Sequence, residues 1–313
     1  MPDAILEIEN LTKRYGGLAA VDGLSLSLPA GRMLALVGPD GAGKTTLIRT
    51  LCGILAPDGG SARVCGQDIA TGMPRIKPLV GYLSQKFSLY SDLTVDENIE
   101  FFAEIHGVRD CRKRREELLA FTRLAAFRSR LADRLSGGMK QKLALACTLV
   151  HTPRIVFLDE PTTGVDPVSR RDFWRILSGL LRTGLTIVLT TPYMDEAERC
   201  SVVGLMDKGR LLACDAPAAI KSRMRGGVIE LVCADARVAA RELAADPLIR
   251  EVQTFGDRLN IIVDDAPRDW PKVRKTIEGR GVACEIWREI SPSLENVFIS
   301  LMEQRKQGDQ VTL

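Results

Sequence analysis

The chain of 313 residues is 45% hydrophobic and 27% charged, which suits about two globular domains with a sizeable core. Its net charge of +3 demands no nucleic-acid partner, and 5% aromatic residues disfavour stacking on bases. Two histidines, His106 and His151, argue against a histidine metal site, and eight cysteines without a C-x-x-C pair read as reduced core thiols of a cytosolic protein.

Met1-Pro-Asp opens without a basic segment and apolar run, so no signal peptide is expected. No apolar stretch approaches the roughly 18 residues of a membrane span. Ile5–Glu9 and Ala20–Leu28 alternate apolar and polar residues as half-buried strands do. Lys13 to Gly17 reads as a loop with one exposed aromatic, Tyr15. Met33–Val37 reads as a buried strand and Thr45–Leu51 as the start of a helix. Between them Gly38-Pro39-Asp40-Gly41-Ala42-Gly43-Lys44-Thr45-Thr46 reads as a phosphate-binding loop, G-x-x-x-x-G-K-[ST]. Glycine lets the backbone turn tightly and approach an anion, and successive N–H groups with the positive helix end cradle phosphate oxygens. Lys44 reaches the β- and γ-phosphates, and the Thr45 hydroxyl can join a Mg²⁺ sphere.

Pro57–Gly60 reads as a turn, and Ser61–Cys65 and Val80–Ser84 as further strands, the second ending at Gln85. From Val95 to about Arg130 the pattern is helical, and the basic run Arg109–Arg115 reads as a solvated helix face. Leu135-Ser136-Gly137-Gly138 opens a helix through about Val150. Ile155–Leu158 is a buried strand ending in Asp159-Glu160-Pro161. A turn, Thr163–Pro167, leads into an amphipathic helix, Val168–Leu181, and Leu185–Thr190 is another buried strand. Alternating strands and helices predict a parallel α/β sheet with the chemical motifs at its carboxyl ends. Near Arg223–Gly227 the composition changes. Beyond it lie expected strands 228–233, 249–255, 258–263 and 282–287 and helices 238–245, 269–278 and 293–304, a small α+β domain. The expected boundaries are 1–224 and 225–313.

The order phosphate loop, lone Gln85, Leu135-Ser-Gly-Gly138, Ile155-Val-Phe-Leu-Asp-Glu160 and Gly164-Val-Asp166 resembles the ATP-binding cassette of ABC transporters. The resemblance covers about residues 5–222. It implies a P-loop NTPase cassette with a helical subdomain, followed by the small accessory domain. It also implies roles, each with a physical reason. Tyr15 would stack on adenine. Asp159 would hold Mg²⁺ directly or through water. Glu160 would accept a proton from the attacking water or orient it. Gln85 would touch Mg²⁺ or the water and sense the γ-phosphate, with Lys44 as the phosphate charge. Ser136, Gly137 and Gly138 would face the γ-phosphate of ATP on a second cassette, with Asp166 at the seam. Phe87–Val108 resembles the subdomain that docks a permease coupling helix, and Pro292–Phe298 resembles drug- and polysaccharide-efflux ATPases. The implied partners are an integral-membrane permease and a second cassette, as homodimer or heterodimer. The implied location is the cytoplasmic face of the membrane, with no nucleic acid. A soluble ABC ATPase acting on ribosomes or DNA is disfavoured, because neither a second cassette nor a long coiled coil is present.

One position departs from the family. Before Tyr193-Met-Asp-Glu-Ala-Glu198 the family places a histidine, and this chain has Pro192. Proline offers neither a side-chain donor nor an N–H. Losing one preorganised donor typically costs about 10²–10³ in rate. Two expectations follow: a working transport ATPase, or a weakly hydrolysing module that serves as half of an asymmetric pair. Thr190, Thr191 and Tyr193 are the hydroxyls that could replace the imidazole.

Overall fold

Leu6, Ile8 and Leu11 are buried while Glu9 and Asn10 are exposed, the alternation that pins a strand with one face on a core. In the computed structural model, which describes residues 4–86, 89–233, 236–244, 246–279 and 284–310, this strand runs further than the alternation predicts. It is β1, Ala4–Tyr15, and it pairs antiparallel with β2, Leu18–Pro29, around a turn at Gly16-Gly17. Lys13, Arg14 and Tyr15 therefore sit on a strand, not in the expected loop. Asp58 holds that strand end, accepting from the Arg14 N–H at 2.6 Å and from Lys13 Nζ at 3.2 Å.

The chain divides into two units, Met1–Cys214 and Asp215–Leu313. The first continues with β3 (Met33–Val37), α1 (Lys44–Leu51), β4 (Gly59–Val64), β5 (Gln67–Asp68), α2 (Met73–Ile76) and β6 (Val80–Leu83). A helical stretch follows: α3 (Val95–Ile105), α4 (Cys111–Thr122) and α5 (Gly137–Leu149). The unit closes with β7 (Ile155–Leu158), α6 (Pro167–Arg182), β8 (Thr186–Thr191), α7 (Met194–Ala197), β9 (Val202–Asp207) and β10 (Arg210–Asp215). One sheet is antiparallel, in the order β2-β1-β4-β5; the other has the order β10-β9-β3-β8-β7-β6, with β9, β3, β8, β7 and β6 parallel. Every residue of β3, β7 and β8 is buried, because both faces of a parallel sheet are covered. The antiparallel sheet and the edge hairpin partners β9 and β10 are additions to the expected parallel sheet. Leu47, Ile48 and Leu51 of α1 share one core with Leu6 and Leu24 of the first sheet and Leu36, Phe157 and Val188 of the second. Each such side chain contributes about 1.5–3 kcal/mol on burial.

The helical stretch breaks at Gly107, with φ 65, and again where Arg123 takes φ 58. A capping box starts α3: Thr94 Oγ1 accepts from the Glu97 N–H at 3.2 Å, and Glu97 Oε2 accepts from the Thr94 N–H at 2.7 Å. Buried Asn98 donates to the carbonyls of Tyr90, Leu93 and Thr94 and fastens the preceding loop. Phe87, where the permease-docking resemblance begins, lies outside the described residues. The basic run is only partly solvated. Arg114 donates to the Leu149 carbonyl at 2.9 Å, and Arg115 pairs with Glu100, while Arg112 and Lys113 are exposed.

The second unit contains α8 (Pro217–Lys221), β11 (Gly227–Cys233), α9 (Ala236–Leu243), β12 (Ile249–Phe255), β13 (Arg258–Val263), α10 (Ala266–Gly279), β14 (Cys284–Ile290) and α11 (Leu294–Gln310). Its antiparallel sheet has the order β12-β13-β11-β14, so β11 through β14 trace the ferredoxin-like split βαβ pattern. The core is Ile229, Leu231, Leu243, Leu259, Ile261 and Val273, among others. Residues 245, 282 and 283 of the expected elements lie outside the described residues.

Candidate active site

The phosphate loop leaves the buried end of β3 and turns into α1. Its shape rests on absent side chains. A Cβ on Gly38 would stand 2.1 Å from the Met206 carbonyl oxygen, and one on Gly43, at φ 98, 2.1 Å from that of Ala20. The loop tip, Pro39, Asp40 and Gly41, is exposed, while Ala42 is buried and its carbonyl accepts from the Gly209 N–H at 3.0 Å. Lys44 is 4% exposed. Its Nζ donates to the Gly38 carbonyl at 2.6 Å and the Pro39 carbonyl at 3.0 Å, and lies 3.9 Å from Glu160 Oε1. Burial pulls the ammonium below the usual lysine range, and Glu160, Asp40 and Asp159 oppose that shift.

Asp159 ends β7 beside the loop. Its Oδ1 accepts from Thr45 Oγ1 at 2.9 Å and from Thr190 Oγ1 at 2.8 Å. Its Oδ2 is buried without a hydrogen-bond partner among the described residues. Glu160 follows in the left-handed region, φ 48, where a side chain is strained. Its N–H donates to Thr190 Oγ1 at 2.8 Å, so one threonine hydroxyl ties both acidic residues to β8. Glu160 Oε2 accepts from Gln85 Nε2 at 3.0 Å and Thr163 Oγ1 at 3.2 Å. The structure thus brings Lys44, Thr45, Gln85, Asp159 and Glu160 together. Thr163 and the bridging role of Thr190 carried no motif signal.

The remaining residues sit apart from that bonded cluster. Tyr15 is 49% exposed at the end of β1, with Lys13 Nζ 6.0 Å from its ring centroid. Ser136 caps α5, accepting from the Met139 N–H at 3.3 Å; Ser136 and Gly137 are exposed. Gly138 packs tightly, since a Cβ there would meet Ser169 Oγ at 2.3 Å. Asp166 caps α6, accepting from the N–H groups of Val168 at 3.0 Å and Ser169 at 2.9 Å. Hydrogen bonds led by the Ser169 hydroxyl hold its carboxyl below the usual range.

Around Pro192 the hydroxyls are already committed. Thr190 serves Asp159 and Glu160. Buried Thr191 donates to Glu196 Oε2 at 2.7 Å and accepts from the Tyr193 N–H at 3.1 Å. Glu196, 1% exposed, also accepts from Thr162 at 2.9 Å and pairs with Arg170 at 3.6 Å. Neither threonine is left to replace an imidazole. Tyr193 remains, with the Arg170 guanidinium 4.5 Å over its ring.

Residues 21–163 match the ABC transporter family. The chain is 48% identical over 230 residues to a probable multidrug ABC transporter ATP-binding protein, YbhF, of Escherichia coli (strain K12); that match covers 72% of this chain and 40% of YbhF. It is 38% identical to the Nod factor export ATP-binding protein I of Paraburkholderia xenovorans, over 98% of this chain and 100% of that protein. With the daunorubicin resistance ATP-binding protein DrrA2 of Streptomyces coeruleorubidus it is 35% identical over 96% of each. Among solved structures, cbiO1 from Clostridium perfringens, part of an ABC transporter complex, aligns with a TM-score of 0.65 at 28% identity, covering 70% of this chain and 91% of that one. These likenesses lend no support to a weakly hydrolysing half-module. Similarity over the whole length of an ATP-binding relative, with the cassette fold and its phosphate-loop geometry, places this chain in the ABC transporter ATP-binding family.

Proposed function

We propose that the chain is the ATP-binding and ATP-hydrolysing subunit of an exporter, paired with a second cassette and a separate membrane permease. The observation that carries this reading is the bonded set Thr45–Asp159–Thr190–Glu160–Gln85 around Lys44. The relatives named for Nod factor export and daunorubicin resistance support the export direction. Among the described residues no helix is long and apolar enough to cross a membrane, so membrane attachment at the cytoplasmic face is assigned to the permease.

The residues fit Mg-ATP. Loop N–H groups and Lys44 take the β- and γ-phosphates, whose oxygens replace the Gly38 and Pro39 carbonyls on Nζ. Asp159 Oδ2, Thr45 Oγ1 and Gln85 suit Mg²⁺: an orphaned buried carboxylate oxygen beside a hydroxyl is a hard oxygen set, completed by phosphate and water. When bound, Mg²⁺ would neutralise charge developing on the phosphates. Glu160, fixed by Gln85 and Thr163, receives the proton of the attacking water or aligns that water. Exposed Ser136 and Gly137 at the α5 N-terminus are assigned to the γ-phosphate held by the second cassette. Tyr15 is assigned to the adenine.

Lys44→Ala tests the nucleotide assignment. Titration with ATP should show binding weakened by at least about tenfold, the loss expected for a charged hydrogen-bond partner. Wild-type affinity in that variant would remove the assignment.

A further inference from the structure

Arg171, Trp174, Arg175 and Arg182 fall on one stripe of α6, spaced by three, one and seven residues. That stripe lines a cleft of 710 Å³, which Arg123 from the end of α4 and Arg199 after α7 complete. Five guanidinium groups facing one concavity repel unless counter-charge compensates them. The compensation is thin. Asp172 stands 3.0 Å from Arg175 and 3.8 Å from Arg123, and it is also shared with Lys142 at 3.4 Å. Arg171, Arg182 and Arg199 have no carboxylate partner among the described residues; Arg199 lies 5.7 Å over the Trp174 ring.

Two further residues shape the walls of the cleft. Trp174 is 4% exposed and packs as an apolar wall of the cleft, its Nε1–H buried away from the open side. Arg123 occupies a left-handed helix terminus, φ 58, where glycine would be unstrained, and so brings its side chain to the cleft at a backbone cost. None of these residues belongs to the nucleotide site.

We propose that this cleft binds a multiply charged phosphate group, either of a soluble polyphosphate or of an acidic lipid headgroup. Guanidinium forks match phosphate oxygens bidentately, and convergence of three unpaired arginines suits more than one negative charge. A singly charged carboxylate would leave most of that charge uncompensated.

The test uses the full chain carrying Lys44→Ala, so that the phosphate loop competes less. Inorganic tripolyphosphate is titrated calorimetrically. Sedimentation is measured with phosphatidylcholine vesicles with and without phosphatidic acid. Arg171→Gln/Arg182→Gln should weaken binding at least about tenfold. Arg112→Gln/Lys113→Gln, on the exposed face of α4, should leave it unchanged. Arg199→Gln serves as a second cleft variant, and melting curves confirm that each protein is folded. Loss of tripolyphosphate binding identifies a soluble ligand, and loss confined to phosphatidic acid vesicles identifies a headgroup. No binding of either probe by the parent protein, undiminished binding by the cleft variants, or an equal loss in the α4 control would overturn the proposal.

Discussion

At the scale of single residues, the least expected participant is Thr190. Its hydroxyl donates to Asp159 and accepts from the Glu160 N–H, so it holds a strained acidic residue in register with the phosphate loop. Thr190→Val keeps the shape and removes both bonds. Turnover should fall about tenfold or more while ATP affinity stays within about threefold, because the ground-state phosphate contacts through Lys44 persist. Steady-state kinetics with a nucleotide titration checks this; unchanged turnover with weakened affinity would show that Thr190 serves binding instead. Lys44, Thr45, Asp159 and Glu160 were legible in the sequence because their chemistry is written in consecutive residues. From the sequence Thr190 is one of three hydroxyls, with Thr191 and Tyr193, that could replace the missing histidine, whereas it is wholly buried between two acidic neighbours. Its partner Asp159 lies 31 positions away, and no local pattern reports such a bond. Thr163 and the buried Glu196 cluster were hidden for the same reason.

At the scale of elements, legibility followed burial. The runs of β3 and β7 are apolar throughout and β8 has an apolar centre, so their bounds can be read from the sequence to within one residue. The alternation shows only the first part of β1, because its last residues, Lys13 to Tyr15, are polar or exposed and are held by Asp58 from a distant turn. The strand-to-helix turn after β3 makes a direct prediction. Gly43→Ala places a Cβ against the Ala20 carbonyl in a left-handed conformation, so the loop must deform. ATP binding should drop by at least about tenfold, with a loss of about 1–3 kcal/mol in stability. Equal affinity and melting temperature would contradict that geometry. A second prediction concerns the helical stretch. His106 closes α3 and His151 follows α5; their rings stack at 4.0 Å, and His151 Nε2 lies 3.0 Å from the Val80 carbonyl. Burial, then His106, pushes His151 from an ordinary 6.5 down to about 4. Burial lowers His106 as well, and Arg114 opposes a charge on His151. Between those two values the unfolded chain takes up a proton that the folded chain refuses, so stability falls as pH drops from 6.5 towards 4. His151→Gln should flatten the fall in melting temperature across that window. A slope identical to wild type would assign it to other groups.

At the scale of the whole molecule, the second unit's ferredoxin-like order was legible only as alternating strands and helices, since strand pairing across β11, β13 and β14 is non-local. The division at Cys214 and Asp215 falls ahead of the boundary read from composition, because composition shifts at Arg223–Gly227 whereas α8 already belongs to the second unit. Ser136 and Gly137, exposed and outside the bonded cluster, are the residues that the proposed pairing with a second cassette would use. Glu160→Gln keeps the size of the side chain and removes the proton acceptor. With ATP, size-exclusion chromatography should show it as a dimer, and a monomer at all nucleotide concentrations would speak against the shared site. The most direct test is the initial rate of Mg-ATP hydrolysis by wild type and Glu160→Gln, each with its ATP affinity. The account predicts measurable turnover in wild type, a loss of at least about 10²-fold in Glu160→Gln, and similar affinity in both. A wild type without turnover, or a variant that hydrolyses at the wild-type rate, would contradict it.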